Sequence, residues 1–264
     1  MSDPRLSERQ NDILARIGAR GVQQIDMLAR DYGLTTQSIR RDINFLCSLG
    51  LARRLHGGVD LPVMPQNTPV NARARLHGPA KRLIAERIAQ DIPDGSTIFL
   101  GIGTTVQFTA EALRNHTGLT VVTNNVDVAL ILGNVPGIEL HLTGGVWRSN
   151  DRDLVGPEAS RYFEKFHATH SVVGAGGLHP VSGALDFSYG DAQITNAIIQ
   201  NSRTRYLAAD VSKWGRSAAV RVAAFSQFSY LVTDSLPEQA DTRHALRDSG
   251  VAVIVCDEGA QDAG

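Results

Sequence analysis

Near the N-terminus, apolar and polar positions alternate with helical periodicity in three successive segments. The first follows Ser7-Glu8-Arg9-Gln10, which is typical of a capping box, and the third follows Thr35, whose hydroxyl can accept a backbone N–H of the first helical turn. Gly21, Gly33 and Gly50 predict the helix ends, because glycine tolerates the left-handed conformation found there. The apolar positions of the three predicted helices are Ile13, Leu14 and Ile17; Met27, Leu28 and Tyr32; and Ile39, Ile43, Leu46 and Leu49.

The third helix is followed by a short apolar and basic strand, residues 51–55, and by the tight turn His56-Gly57-Gly58. A winged helix-turn-helix has this order, in which the helix enters the major groove of DNA and the hairpin tip reaches the flanking backbone. The polar side chains of the helix can hydrogen-bond base edges or phosphates. The expected DNA-binding residues are Thr36, Gln37, Arg40, Arg41, Asn44, Arg53, Arg54, His56 and Gly57.

Position and charge suggest a role for each of these side chains. Thr36, Gln37 and Arg40 are expected to read bases, whereas Arg41 and the basic hairpin residues are expected to hold phosphate. Asp42 is expected to hold an arginine in place, since phosphate would repel a carboxylate. An amphipathic helix with two arginines is also common as a solvated surface helix. Three helices, a glycine turn and a basic hairpin within about sixty residues form a more specific combination.

Residues 61–78 are predicted to be a linker, because Pro62, Pro65 and Pro69 interrupt any helix and the segment has no periodicity. A helix over about 79–92 is predicted to follow. Its inward-facing residues are expected to be Leu83, Ile84 and Ile88.

From Ser96 onward, strand-like apolar runs alternate with helical patterns. This alternation predicts a mostly parallel sheet covered on both faces, with ligands bound beyond the carboxyl ends of its strands. The predicted strands are Thr97–Leu100, Thr120–Val122, Ile138–Leu142, Ser171–Val173, Arg205–Ala208, Tyr230–Val232 and Val251–Val255. The predicted helices are Val106–Arg114, Val126–Leu132, Pro157–Phe166, Ala192–Ser202 and Glu238–Asp248.

Glycine-rich and polar loops follow several of these strands. Residues 101–105 place glycines and hydroxyls before a helix, where backbone N–H groups and the helix dipole favour an anion. This loop lacks the Lys of a Walker A loop and the third Gly of a dinucleotide fingerprint. Lys213 can supply a point charge for a phosphate, and Arg148 can pair with a phosphate or with a carboxylate. The expected effector-binding residues are Gly103, Thr104, Thr105, Asn124, Gly145, Arg148, Gly174, Gly176, Asp186, Asp210 and Lys213.

Charge is divided unevenly along the 264 residues, a length sufficient for two domains. Residues 1–90 carry 14 Lys/Arg and 8 Asp/Glu, a net charge of +6, whereas residues 91–264 carry 12 and 19, a net charge of −7. A basic front segment suits contact with an anionic polymer such as DNA.

Cys47 and Cys256 lie too far apart in sequence to suggest a disulfide framework or a metal site, and they suit a reducing cytosol. No apolar run approaches the roughly 20 residues of a membrane span, and we expect a cytoplasmic protein.

Several of these motifs resemble the DeoR family of bacterial transcriptional regulators. The N-terminal ones are Glu8-Arg9-Gln10, Ser38-Ile39-Arg40-Arg41-Asp42 and Arg54-Leu55-His56-Gly57-Gly58. Those that resemble the effector domain of the family are Gly103-Thr104-Thr105, Val122-Thr123-Asn124, Gly144-Gly145, Val155-Gly156-Pro157 and Asp210-Val211-Ser212-Lys213. Four segments resemble the branch of the family that controls glycerol catabolism: 66–69, 92–96, 185–189 and 198–203.

The resemblance implies a winged helix-turn-helix followed by an α/β sensor domain related in fold to ribose-5-phosphate isomerase, which binds sugar phosphates without turning them over. Four positions at or near the expected pocket depart from the family pattern. Gly101 replaces an acidic residue, Asp191 and Thr195 replace Glu and Lys, and Val211 replaces a polar residue, often His. These departures bear on the identity of the effector.

We therefore expect an α/β protein with a winged helix-turn-helix at 1–60, a linker at 61–78, a mostly parallel sensor domain at 79–258 and a flexible tail at 259–264. The expected function is a transcriptional repressor of carbohydrate or glycerol catabolism genes. A small phosphorylated polyol or sugar, with glycerol 3-phosphate as the first candidate, is expected to release it from operator DNA, without any other cofactor or metal. A homo-oligomer is expected, because one helix and wing cover only a half-site.

Two other functions fit the same residues. The first is a sugar-phosphate isomerase with an accessory DNA-binding segment. Asp186, Asp191 or Asp210 would move a proton between carbons, and Lys213 would stabilise an enediolate. The second is an inert α/β domain carried by a DNA-binding head. Turnover of ribose 5-phosphate would identify the enzyme, and a ligand that shifts DNA affinity would identify the sensor.

Overall fold

The computed structural model describes residues 6–20, 22–49, 51–55, 57–60, 70–216 and 218–256. The chain divides into two units, Met1–Gly78 and Pro79–Gly264. The elements of the first unit are α1 (Glu8–Arg20), β1 (Gln23–Gln24), α2 (Ile25–Asp31), α3 (Thr36–Ser48), β2 (Arg53–Leu55), β3 (Gly58–Asp60) and α4 (Val70–Arg75).

Both predicted helix caps of the first unit are confirmed. The N–H of Gln10 donates to Ser7 Oγ at 3.2 Å, and the N–H of Ser7 donates back to Gln10 Oε1 at 3.0 Å. Thr35 Oγ1 accepts the N–H of Ser38 at 3.2 Å. Gly33, with φ +63°, makes the turn into α3, as expected. The predicted glycine ends at positions 21 and 50 lie outside the described residues.

The predicted apolar stripes form the core of the first unit, with four residues at their edges as exceptions. Met27 is 57% exposed, and Leu14, Tyr32 and Leu49 are half-buried against the core. The wing is a three-stranded antiparallel sheet in the order β1-β3-β2, and its polar strand β1 has no apolar alternation that could have predicted it. The core consists of Ile13, Ile17, Ile25, Leu28, Ala29, Ile39, Ile43, Leu46, Leu51, Ala52 and Val59.

The predicted linker is only partly correct. Val70–Arg75 forms the helix α4, although we expected 61–78 to contain no regular element. This helix begins directly after Pro69, the last proline, and its alanines and arginines are good helix formers. Residues 61–69, with all three prolines, lie outside the described residues.

All seven predicted strands of the second unit form one parallel sheet. Its order is β15-β14-β12-β9-β4-β5-β6, and every neighbouring pair is parallel. The strands are β4 (Thr97–Leu100), β5 (Leu119–Thr123), β6 (Ile138–Leu142), β9 (Ala168–Val173), β12 (Ser202–Ala208), β14 (Tyr230–Thr233) and β15 (Ala252–Val255).

Helices and two smaller antiparallel sheets surround this large sheet. Phe99 of β4 packs in one hydrophobic core, whereas its neighbours Ile98 and Leu100 pack in another, so both faces of the sheet are covered as predicted. The helices are α5 (Gly78–Gln90), α6 (Thr104–Ala112), α7 (Val126–Leu132), α8 (Pro157–Phe163), α9 (Tyr189–Gln200) and α10 (Ala240–Ser249). The five additional strands, which we did not predict, are β7 (Val146–Arg148), β8 (Asp153–Val155), β10 (Gly177–His179), β11 (Gly183–Asp186) and β13 (Val220–Ala223).

In α5, Ile84 and Ile88 are fully buried as expected, and Leu83 is half-buried. No helix within the described ranges combines the length and apolar character needed to cross a membrane.

Candidate functional site

The third helix separates an apolar face from a polar one. Ile39, Ile43 and Leu46 are fully buried beneath it. Arg40 and Arg41 are exposed, and neither has an ion-pair partner among the described residues. The remaining predicted contacts on this helix are Thr36, which is half-buried, and the exposed Gln37 and Asn44.

Asp42 anchors the helix to its neighbour α1. Its carboxylate is nearly buried and accepts Arg9 Nε at 2.7 Å and Gln10 Nε2 at 2.9 Å. The prediction that Asp42 holds an arginine is therefore confirmed, and that arginine lies on α1. The contact explains why an acidic residue occurs on this helix, because it fixes the orientation of α3 against α1.

The basic residues of the wing are less available than those of the helix. Arg53 pairs with Asp60 on the opposing strand at 2.8 Å, and Arg54 Nη1 donates to Asn44 Oδ1 at 3.4 Å. Gly57 is exposed with φ +76°, which explains a glycine at the hairpin tip. His56 lies outside the described residues.

In the second unit, the carboxyl ends of all seven parallel strands lie at one edge of the sheet, and the predicted effector loops follow five of them. Asn125 Nδ2 donates to the Gly101 carbonyl at 3.4 Å, which joins the first loop to the second. A Cβ on Gly174 would lie 3.4 Å from the Ile102 carbonyl, so the fourth loop also approaches the first. The fifth loop contacts β10, the strand that follows the fourth loop, through a β-bridge between Leu178 and Trp214. The structure therefore brings the predicted loops together.

The first of these loops ends at the N-terminus of α6. Gly103 has φ +111° and no neighbouring atom where a Cβ would point, so the helix entry is open. The first intrahelical bond runs from the N–H of Gln107 to the Gly103 carbonyl at 3.1 Å. The N–H groups of Thr104 and Thr105 precede that bond and point out of the helix start. This arrangement favours an anion.

Arg148 is held by carboxylates. It makes a bidentate contact with the fully buried Asp153 at 2.6 and 3.0 Å, and Nη1 donates to Asp191 Oδ2 at 3.2 Å. Asp191 Oδ1 lies 2.8 Å from Nη2 without hydrogen-bond alignment, and Asp151 lies at 3.9 Å. Of the two pairings predicted for Arg148, the structure contains the one with carboxylates.

Asp191 is a buried carboxyl of this cluster whose pKa is strongly shifted. Burial raises its pKa to about 6, while nearby Arg148 acts in the opposite direction and Asp186 adds to the rise. Asp186 itself lies at the end of β11, where its Oδ1 accepts the N–H of Phe187 at 2.7 Å. Thr195, on the same helix as Asp191, is also buried.

The remaining predicted residues have identifiable local roles. A Cβ on Gly145 would lie 2.5 Å from the Val155 carbonyl, so this glycine permits the β7–β8 hairpin to close. A Cβ on Gly176 would lie 3.0 Å from the Phe187 ring. Asp210 is fully buried and caps the short helix Val211–Lys213, which carries Lys213 half-exposed at the carboxyl end of β12.

The β7–β8 hairpin was missed by sequence reasoning. Its turn residue Arg152, with φ +55°, pairs with Asp127 at 2.6 Å, and Gln107 donates to the same carboxylate at 2.9 Å. Its second strand is held by Asn124, whose Nδ2 donates to the Leu154 carbonyl at 3.0 Å. The hairpin therefore spans the strand ends between α6 and α9. The polar run 149–152 between two short apolar segments was the available signal.

Two surface clefts of about 440 and 430 Å³ lie elsewhere on this unit. The first is lined by residues such as Arg114 and Pro136, and the second by residues such as Leu236 and Arg243. Neither contains a predicted effector residue.

Comparison with known proteins identifies both units. A model of the DeoR-like helix-turn-helix domain matches residues 9–63, and a model of the DeoR C terminal sensor domain matches residues 77–235. The chain is 36% identical over 252 residues to the HTH-type transcriptional repressor CsqR of Escherichia coli K12, covering 96% of each chain. It is 34% identical over 250 residues to the glycerol-3-phosphate regulon repressor of the same strain, covering 95% of this chain and 99% of the other.

Among solved structures, ribose 5 phosphate isomerase A from Neisseria gonorrhoeae aligns with 51% of this chain and 52% of its own, at 17% identity and a TM-score of 0.37. That likeness is too low to support an argument about activity.

Proposed function

The chain belongs to the DeoR family and is a DNA-binding transcriptional repressor, and we propose that a small phosphorylated polyol, with glycerol 3-phosphate as the first candidate, releases it from operator DNA. The observation that carries the effector proposal is the open N-terminus of α6 at the carboxyl end of β4. Backbone N–H groups at Gly103 to Thr105 would hold the phosphate there, and Lys213 would add a positive charge.

The proposed DNA contacts divide between the recognition helix α3 and the wing. Thr36, Gln37 and Arg40 would read bases, whereas Arg41 and Arg54 would hold phosphates. Support comes from the exposure of both helix arginines above a fully buried apolar face. Arg53 would contribute less, because it is already paired with Asp60.

Arg54→Ala should weaken binding to all DNA sequences by a similar factor. It should also reduce the slope of log affinity against log salt concentration by about one. Fluorescence anisotropy of operator and unrelated duplexes at several salt concentrations would measure this. An unchanged salt slope would remove Arg54 from the proposed contacts.

We propose that the protein acts as a dimer or larger symmetric oligomer, with its second unit supplying the contact. One recognition helix and one wing cover a single half-site, and repressors reach operator affinity by holding two half-sites in fixed register. Light scattering at micromolar concentration should give at least twice the monomer mass of 28.4 kDa. A monomer mass would contradict the proposal.

Regulation requires that the effector bind one state better than the other. A tenfold release of DNA needs about 1.4 kcal/mol of coupling, which lies within the usual range for allosteric proteins. Calorimetry of glycerol 3-phosphate against wild type and Lys213→Ala, followed by operator gel shifts, would test the site. Lys213→Ala should bind operator DNA without responding to glycerol 3-phosphate. Equal affinity of wild type and variant for glycerol 3-phosphate would reject Lys213 as a contact.

Lys165→Ala is the matched control, because Lys165 lies before β9, at the opposite edge of the sheet, and its Nζ lies 5.2 Å from the centre of the Tyr162 ring. Incubation with ribose 5-phosphate and an assay for the ketose would test the isomerase alternative. The relatives described above carry the names of repressors, which favours regulation over turnover.

A further inference from the structure

Asn124 and Thr143 occupy equivalent positions on two neighbouring strands. Thr123 and Leu142 are paired as the last residues of the parallel strands β5 and β6. Asn124 and Thr143 follow them directly, and the N–H of Thr143 donates to the Thr123 carbonyl at 2.9 Å. The two side chains therefore leave the sheet side by side, at the edge where the effector loops meet.

Both side chains are buried, with exposures of 1% and 2%. The amide orientation of Asn124 is fixed, because Nδ2 donates to the Leu154 carbonyl at 3.0 Å. Asn124 Oδ1 and Thr143 Oγ1 nevertheless have no hydrogen-bond partner in the part of the chain that the structure describes. Buried polar atoms are normally satisfied, so two exceptions at the paired ends of neighbouring strands call for an explanation.

The chemistry of the pair is selective. Asn124 Oδ1 can only accept a hydrogen bond, whereas the hydroxyl of Thr143 can donate or accept one. An alcohol hydroxyl satisfies both, because it donates to the amide oxygen while it accepts from the threonine. A phosphate oxygen suits this position poorly, because the lone pairs of Oδ1 would face a negative charge.

Asn124 and Thr143 also lie where the hydroxyl groups of a ligand bound at the proposed phosphate site would reach. Strand β4, whose following loop opens at Gly103, is the direct neighbour of β5. A ligand with its phosphate at the start of α6 would extend across the ends of β5 and β6. Its hydroxyl-bearing carbons would then approach Asn124 and Thr143.

We propose that Thr143, together with Asn124, forms a hydroxyl-binding subsite that selects phosphorylated ligands by their alcohol groups. This inference rests on the proposed function, because it assumes a phosphorylated effector at the strand ends. Both polar atoms are buried, and the β7–β8 hairpin holds Asn124 through the Leu154 carbonyl, so ligand access to Asn124 requires that hairpin to move. A trapped water bridging the two atoms is the competing explanation.

Thr143→Val tests the subsite, because valine keeps the shape and removes the hydroxyl. Thr143→Ser restores a hydroxyl and serves as the rescue variant. Thr120→Val is the matched control, since it makes the same change on β5 near the amino end of the strand. Calorimetry would compare glycerol 3-phosphate, ribose 5-phosphate and fructose 6-phosphate with two probes that lack alcohol hydroxyls, n-propyl phosphate and inorganic phosphate.

The subsite predicts that Thr143→Val lowers the affinity for the tightest-binding polyol or sugar phosphate by roughly tenfold, the equivalent of one hydrogen bond. The affinities for the two probes without alcohol hydroxyls should stay within about twofold of wild type. Thr143→Ser should recover most of that loss, and Thr120→Val should change nothing. If Thr143→Val changes the affinity for all probes equally, or for none, Asn124 Oδ1 and Thr143 Oγ1 hold a water and the subsite is overturned. Failure of every phosphorylated probe to bind wild type would instead overturn the proposed effector, and the subsite with it.

Discussion

In the helix-turn-helix unit, Arg40 and Arg41 project from a helix whose opposite face is fully buried. In the sensor unit, Arg148 lies on the β7–β8 hairpin, where Asp153 and Asp191 hold its guanidinium group. The first unit meets a polymer from outside, so its charges remain hydrated until DNA replaces the counterions. The second unit matches a sensor domain, and the charges of its Arg148 cluster are already neutralised inside the protein.

This difference has consequences for mutation. Removing an exposed arginine subtracts one contact and leaves the fold intact. Removing one member of the buried cluster leaves another charge without its partner in a medium that solvates it poorly. Substitutions of the exposed arginines in the first unit should therefore change DNA binding, whereas substitutions within the Arg148 cluster should change stability and ligand response together.

The largest expected effect is on stability, from Asp153→Ala. The Asp153 side chain is fully buried and bidentate with Arg148, so its loss should lower the free energy of unfolding of the sensor unit by about 3 kcal/mol. Urea unfolding followed by tryptophan fluorescence would measure this, because Trp147 and Trp214, the two tryptophans of the chain, both belong to this unit.

The control for that experiment is Glu111→Ala, which breaks the exposed pair with Arg114 at 3.6 Å. It should change the free energy of unfolding by no more than about 0.5 kcal/mol, since exposed pairs contribute little. Equal effects of the two substitutions would show that burial of the Arg148 cluster has no energetic consequence.

The next largest effect is expected in the first unit. Arg40→Ala should weaken operator binding by about 1–3 kcal/mol and relax specificity at one base pair, if Arg40 bonds a guanine edge. Gel shifts against the operator and single-base variants would measure both. Unfolding of the variant should match wild type. An unchanged affinity, or a loss that is uniform across sequences, would mean that Arg40 reads no base.

A smaller effect is expected from the cap of the recognition helix. Thr35→Ala should destabilise the first unit by about 1 kcal/mol, because the Ser38 N–H loses its acceptor. Hydrogen exchange of the α3 amides would report this locally. Gln37→Ala, an exposed change in the same turn, is the control and should leave exchange nearly unchanged. Similar protection in both variants would contradict the cap.

A further predicted effect depends on pH. The pKa of Asp191 is raised from 3.8 to about 6 in the folded protein, so the folded state keeps a proton that the unfolded chain releases between these values. The resulting stabilisation is present below about pH 4 and is lost as the pH rises to about 6. Asp191→Asn should remove this pH-dependent loss, which a pKa shift of about two units puts at roughly 3 kcal/mol.

Unfolding of wild type and Asp191→Asn at several pH values would test this linkage. Asp241→Asn, on the exposed surface of α10, provides the control. Parallel pH profiles for wild type and Asp191→Asn would contradict the raised pKa.

The sequence by itself determined the elements whose signals are local. Helical spacing located α1 to α3, a hydroxyl at Thr35 located a cap, and apolar runs located all seven strands of the parallel sheet. These features depend on residues a few positions apart, which any reader of the chain can compare. The family resemblance rested on such local motifs, and the comparisons confirm it.

Only the tertiary structure decided which side chains meet. The strand order places β4 between β9 and β5, and no local pattern encodes that order. Arg148 reaches Asp191 across 43 positions of sequence, and the unpredicted β7–β8 hairpin binds Asn124 through the Leu154 carbonyl. Short polar strands and long-range ion pairs leave no periodic signal, because their stability comes from burial against distant parts of the chain. The sequence therefore determined which loops carry the polar groups, and the packing decided that Arg148 would be held by carboxylates.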